Sequence, residues 1–140
     1  MTPPPPPART SSAPPADDAR CPCLSGLVYG ECCGPLLRGE AVAPTAERLM
    51  RSRFTAFATS DEAYLLASWH PSTRPEALDL DRDVRWFRLD VESTAEGGPF
   101  DVRGVVRFTA HYRDAGGANL QQETSRFVRE AGRWLYVDGT

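Results

Sequence analysis

The chain has 140 residues, 41% of them apolar and 25% charged, with a formal net charge of -3. That size makes one domain-scale unit, and the mild negative charge argues against direct nucleic-acid binding. No run reaches the roughly eighteen apolar residues of a membrane span, and the N-terminus lacks the basic start and apolar stretch of a secretory signal. A cytoplasmic protein with no membrane partner is therefore expected.

Residues 1–20 carry seven of the thirteen prolines, with Ala, Ser and Thr between them. Beyond Met1 they hold no large apolar residue to offset the entropy of ordering, and they read as a disordered Pro-rich tail. All four cysteines follow at once, as Cys21, Cys23, Cys32 and Cys33. In a reducing compartment such a cluster favours metal over disulfides. Adjacent cysteines do not readily bridge each other, and no C-x-x-C redox pair is present. Four thiolates complete the tetrahedron of a structural Zn2+, although neither pair has the usual spacer of about two to four residues. A redox or regulatory thiol role and unliganded cysteines are the alternatives. Ser25-Gly26 and Tyr29-Gly30 supply turns that fold the loop back, and Pro22 and Pro35 stiffen its arms.

Residues 34–43 read as a linker punctuated by Gly34, Pro35 and Gly39. Thr45 then caps a helix to about Thr59, with Ala46, Leu49, Met50, Phe54, Phe57 and Ala58 at three- and four-residue steps. Arg48 and Arg51 read as a solvated face, whereas Arg53 falls within the apolar stripe. Thr59 and Glu62 have capping-box spacing for a second short helix to about Trp69, ended by Pro71. A further helical turn is expected near residues 75–78. From Arg85 the period becomes two. Phe87, Leu89 and Val91 are expected on one face, and Trp86, Arg88, Asp90 and Glu92 on the other. Strands follow at about 104–113 and 119–130, and a last one places Trp134, Tyr136 and Asp138 on one side. Helices followed by long antiparallel strands make an α+β fold.

The segment CPCLSGLVYGECCG resembles the SEC-C metal-binding motif, best known from the C-terminus of the bacterial preprotein translocase ATPase. Cys21, Cys23, Cys32 and Cys33 match its four ligand positions, and Pro22, Ser25, Gly26 and Tyr29 match its other positions. Leu24 departs from the usual Gly, which would bring strain if that position has a positive φ. PTAERLMRSRFTAF, SWHPSTRP, TAEGGPF, SRFVRE and GRWLYVDG are similar to the YchJ family (UPF0225). That resemblance implies a zinc knuckle over residues 21–36 and an NTF2-like (cystatin-like) domain over residues 44–140, with a curved sheet wrapped over its helices.

NTF2-like domains are similar to one another in holding a cavity between helices and sheet, which fold analogy alone does not assign to a function. Arg53, Trp69, His70, Tyr112 and Asp138 are the pocket candidates, His70 because its pKa lies near neutrality. His111 reads as a surface residue, and Arg126 pairs most simply with Asp138 or Asp90. An isomerase or dehydratase would need a buried acid or an Asp-His pair in the cavity, and no catalytic residue is assigned. No phosphate-binding Gly loop, HExxH helix or G-x-S-x-G elbow occurs. The first expectation is a zinc-containing accessory protein, monomer or homodimer, whose knuckle meets a protein or ribonucleoprotein partner. A small-molecule binder or enzyme using the cavity, and a zinc that only stabilises the fold, are the rivals.

Overall fold

The computed structural model of the chain describes residues 13–140. Most of the expected tail, residues 1–12, lies outside the described residues. Its last part is built in rather than loose. Arg20 forms a β-bridge with Val28, Ala19 O accepts from Tyr29 N at 2.7 Å, and Asp17 O accepts from Gly30 N at 2.9 Å. The Asp17 carboxylate also meets Arg38 at 3.0 Å. Backbone pairing, not apolar burial, orders this stretch, which is why composition hid it.

A 3-10 turn at Tyr29–Glu31 leads into helix α1 (Cys33–Leu37). The expected linker is thus helical in its first part. Pro35 stands in the first turn of α1, where a missing N–H loses no bond. Helix α2 (Ala46–Ala58) starts as expected, with Thr45 Oγ1 accepting from Arg48 N at 3.1 Å. It buries Leu49, Met50 and Phe54 together with Arg53, which is only 6% exposed. Helix α3 (Glu62–Ala67) is capped by Asp61 and not by Thr59. Asp61 Oδ1 accepts from Tyr64 N at 3.0 Å, while the Thr59 hydroxyl bonds back to Thr55 O at 2.8 Å. The helix ends two residues before Trp69, and residues 75–78 form no helical turn. After α3, Trp69 bridges to Tyr136 in the sheet.

Strands β1 (Arg85–Glu96), β2 (Arg103–Asp114), β3 (Gly117–Glu130) and β4 (Arg133–Gly139) form one antiparallel meander in sequence order. The helices and this sheet make the α+β fold that the periodicities imply. Helix α2 lies against β1, β2 and β4. Its first turn reaches the sheet through Ala46 N, which donates to Gly97 O at 2.9 Å. A Cβ on Gly104 would stand 2.6 Å from Gly97 Cα and 2.9 Å from Ala46 Cβ, so this junction closes only around glycine. The core is continuous. Phe127, Val106, Leu89 and Trp134 from the sheet join Leu49, Met50 and Phe54 from α2 and all four cysteines.

Two bulges change which side chains face α2. Pairing skips from Trp86↔Tyr112 to Arg88↔His111, leaving Phe87 as the extra residue. Trp86 therefore turns inward alongside Leu89, and Phe87 is 45% exposed, the reverse of the simple alternation. In β4 the pairing passes from Phe127↔Tyr136 to Arg126↔Asp138 and skips Val137. That extra residue sends Asp138 to the face opposite Tyr136.

Candidate metal centre and helix–sheet cavity

The cysteine loop is a compact knuckle. Cys21 N donates to Leu27 O at 3.0 Å, Leu24 N to Cys21 O at 3.0 Å, and Cys32 N to Tyr29 O at 3.1 Å. These bonds fold residues 21–33 back so that the four thiols converge. Every Sγ lies within 4.8 Å of the others, and all four residues are buried. No disulfide joins them. Cys23 and Cys32 Sγ are 3.6 Å apart, and Cys32 and Cys33 Sγ 3.9 Å apart. A zinc–sulfur tetrahedron with bonds of about 2.3 Å has edges of about 3.8 Å, so the donor set fits such an ion. Ser25 Oγ is 3.1 Å from Cys32 Sγ, a hydroxyl placed to donate to a thiolate. Hydrogen bonds from Cys23 and Cys33 hold the Cys21 thiol down at about 3, while hydrogen bonds with Cys21 and Cys23, and then burial, push Cys33 up. A cation at the centre would relieve this competition among four packed sulfurs.

The knuckle sits on α2. Cys21 Sγ lies 3.8 Å from Thr55 Oγ1, and Arg51 Nη1 donates to Cys23 O at 2.9 Å. Arg51, read from sequence as solvated, is thus a strut between helix and knuckle and also pairs with Glu47. Leu24 has φ 61°, in the left-handed region where a Cβ is disfavoured. Leu24 and Leu27 are 43% and 44% exposed on the outer side of the loop.

Behind the knuckle, α2 and the sheet enclose a cavity of about 300 Å³. Of the five pocket candidates, Arg53 and Trp69 line it; His70, Tyr112 and Asp138 do not. His70 N donates to Tyr136 O at 2.7 Å, which clamps the residue at the edge of β4. Its ring turns outward, with Nε2 2.9 Å from Glu130 and Nδ1 2.7 Å from Ser72. Tyr112 packs on Trp86 with ring centroids 4.9 Å apart, and bulging of β1 gives Trp86 the lining position. Asp138, displaced by the β4 bulge, forms a two-bond exposed pair with Arg126. His111 pairs with Asp90 at 2.9 Å, also outside the cavity. Neither histidine–carboxylate pair is in the cavity.

The acid that does line it is Glu123, on the β3 face shared with Ser125 and Phe127. Strand parity places it there, half-buried among the aromatic lining. Ser125 Oγ donates to Glu123, and Tyr136 Oη donates to it at 3.4 Å. Burial first, and then the nearby Glu123 charge, pushes Tyr136 up to about 12, so it stays a neutral donor. Arg53 Nη1 donates to Leu65 O at 2.8 Å and to Ser68 Oγ at 2.6 Å. The guanidinium is flanked by the rings of Tyr136 and Trp69, at 4.4 and 5.0 Å from Cζ. Burial pushes it down to about 10, which leaves it charged at neutral pH.

This architecture recurs in proteins of known sequence and structure. Residues 45–139 match the family model described as YchJ, middle NTF2-like domain, and residues 19–35 match the SEC-C motif. A UPF0225 protein of Corynebacterium glutamicum is 52% identical over 120 residues, spanning 86% of this chain and 95% of that one. A UPF0225 protein of Streptomyces avermitilis is 53% identical over 121 residues, spanning 86% and 84%. The solution structure of RPA3114, a SEC-C motif containing protein from Rhodopseudomonas palustris, superposes with a TM-score of 0.76 at 35% identity, covering 86% of this chain and 96% of that one. The crystal structure of a SEC-C motif containing protein from Psychrobacter arcticus gives 0.71 at 25% identity, covering 87% and 82%. With its four converging cysteines ahead of an NTF2-like helix–sheet domain, the chain belongs to the UPF0225 (YchJ) family.

Proposed function

We propose that this protein is a zinc-holding accessory protein whose knuckle docks on a protein partner. Cys21, Cys23, Cys32 and Cys33 would hold the ion, which when bound cross-links the loop and supplies folding energy. Four thiolates leave no coordination position for a substrate, so the knuckle acts as a shaped surface and not as a catalyst. The observation that carries this reading is the pair of exposed leucines, Leu24 and Leu27, on the loop whose buried cysteines converge and which a bound ion would hold rigid. A rigid apolar tip suits a protein partner better than RNA, which would call for basic and stacking groups. Cytoplasmic residence belongs to the same reading, since thiolates stay reduced there.

A second reading has its own support. The cysteines join the same buried cluster as Leu49 and Met50 on α2, so a zinc that only stabilises the domain would also account for them. Metal analysis of purified protein should find about one zinc per chain. Crosslinking in cells should then recover a defined partner set with the native chain, and lose it with both Cys32→Ser and the Leu24→Ser/Leu27→Ser double variant. If the double variant holds its zinc and keeps every partner, docking by the knuckle is wrong and the structural role stands.

A further inference from the structure

We propose that the cavity between α2 and the sheet binds a small organic carboxylate, its acid group held by Arg53 and its apolar body by Phe54, Trp86 and Phe127. Arg53 is a buried cation whose hydrogen bonds to the described residues leave through Nη1 alone. Among the described residues no carboxylate lies within ion-pair distance of it. Its Nε and Nη2 groups therefore remain available, and they form the edge that grips a carboxylate with two parallel bonds. A buried guanidinium with no carboxylate partner is costly unless a further acceptor joins it.

The other walls define the rest of the ligand. Met50, Phe54, Trp86, Phe108 and Phe127 make them mainly apolar and aromatic, and a volume of about 300 Å³ is at the small end for ligand sites. Glu123 already accepts from Ser125 and Tyr136, so it is held in place on β3 and does not neutralise Arg53. Its charge limits the ligand to a single negative charge and disfavours phosphate. An aromatic or branched monocarboxylate meets all three conditions. The inference is independent of the knuckle's role.

Benzoate is a suitable probe, with benzamide as its neutral counterpart and inorganic phosphate as the competing anion. The chain has three tryptophans, two of which, Trp69 and Trp86, line the cavity. Titration of full-length protein, followed by ¹H–¹⁵N spectra of the indole N–H groups, should shift these two saturably and leave Trp134 in place. Benzamide should bind about tenfold more weakly or worse, the loss expected for charge-assisted hydrogen bonds, and phosphate should not displace benzoate. Arg53→Met should abolish benzoate binding, with an unchanged Trp134 resonance showing that the fold persists. The proposal is overturned if benzoate and benzamide bind alike, if no saturable shift occurs at Trp69, or if phosphate competes equally. Because the comparison of the two probes uses the native chain, it decides the matter even if the variant does not fold.

Discussion

Replacing Arg53 by Met separates a structural arginine from one kept for a ligand. Burial moves Arg53 from 12.5 to about 10. At about 1.4 kcal/mol per pH unit, carrying this charge costs the fold about 3 kcal/mol. Against that stand two hydrogen bonds from one nitrogen, together worth about 3 kcal/mol at the lower value for a charged donor. Removing the guanidinium orphans neither acceptor's neighbourhood, because Ser68 Oγ also donates to Tyr64 O at 2.8 Å and to Leu65 O at 3.3 Å. A methionine of similar length keeps apolar contact with Trp69 and Tyr136, replacing most of what the cation gained over their rings. The two sides nearly cancel, as for many buried charges replaced by apolar groups. We expect the variant to unfold in urea within about 1 kcal/mol of the native chain with an unchanged m-value, and to melt within about 4 °C of it. A loss of about 3 kcal/mol or more would refute the reasoning and make Arg53 a strut between α2 and α3.

Gly104→Ala should destabilise by about 2 kcal/mol, the overpacking range, because its Cβ meets backbone at Gly97 and the short Ala46 side chain; a melting temperature within a degree of native would contradict that fit. Leu24→Gly should stabilise by about 0.5 kcal/mol, as relief of the left-handed strain exceeds the added chain entropy. Under the docking reading the same change should weaken partner binding, since it removes an exposed leucine. A hydrogen bond from His111, followed by one from Arg88, holds the Asp90 carboxyl below its ordinary range. Its small, solvent-screened contribution is therefore present above the unfolded-state value near 3.9 and lost as pH falls through the lower folded value. Carboxyl ¹³C titration should show this depression, and His111→Gln should return Asp90 towards the ordinary value.

Much of the fold was legible because it rests on local rules. Thr45 caps α2 where its spacing says, and the α2 stripe points inward with Arg53 inside it. The cysteine spacing pointed to the candidate metal centre, since four thiols within thirteen residues can meet at one point. Leu24 was legible too, as the side chain standing where a glycine conformation is required.

Which polar groups share the cavity was decided by the tertiary structure. Alternation predicts faces only while each strand keeps its register, and one extra residue at Phe87 and another at Val137 reversed Trp86 and Asp138. His70 was lost to the cavity for a different reason, a backbone bond to Tyr136 that no side-chain pattern encodes. Residues 17–20 were likewise ordered by main-chain pairing in a segment whose composition reads as tail. Local chemistry along the chain determined the helices, the strands and the cysteine cluster. Bulges and long-range backbone bonds, whose energies depend on partners distant in sequence, decided that Trp86 lines the cavity and that His70 and Asp138 do not.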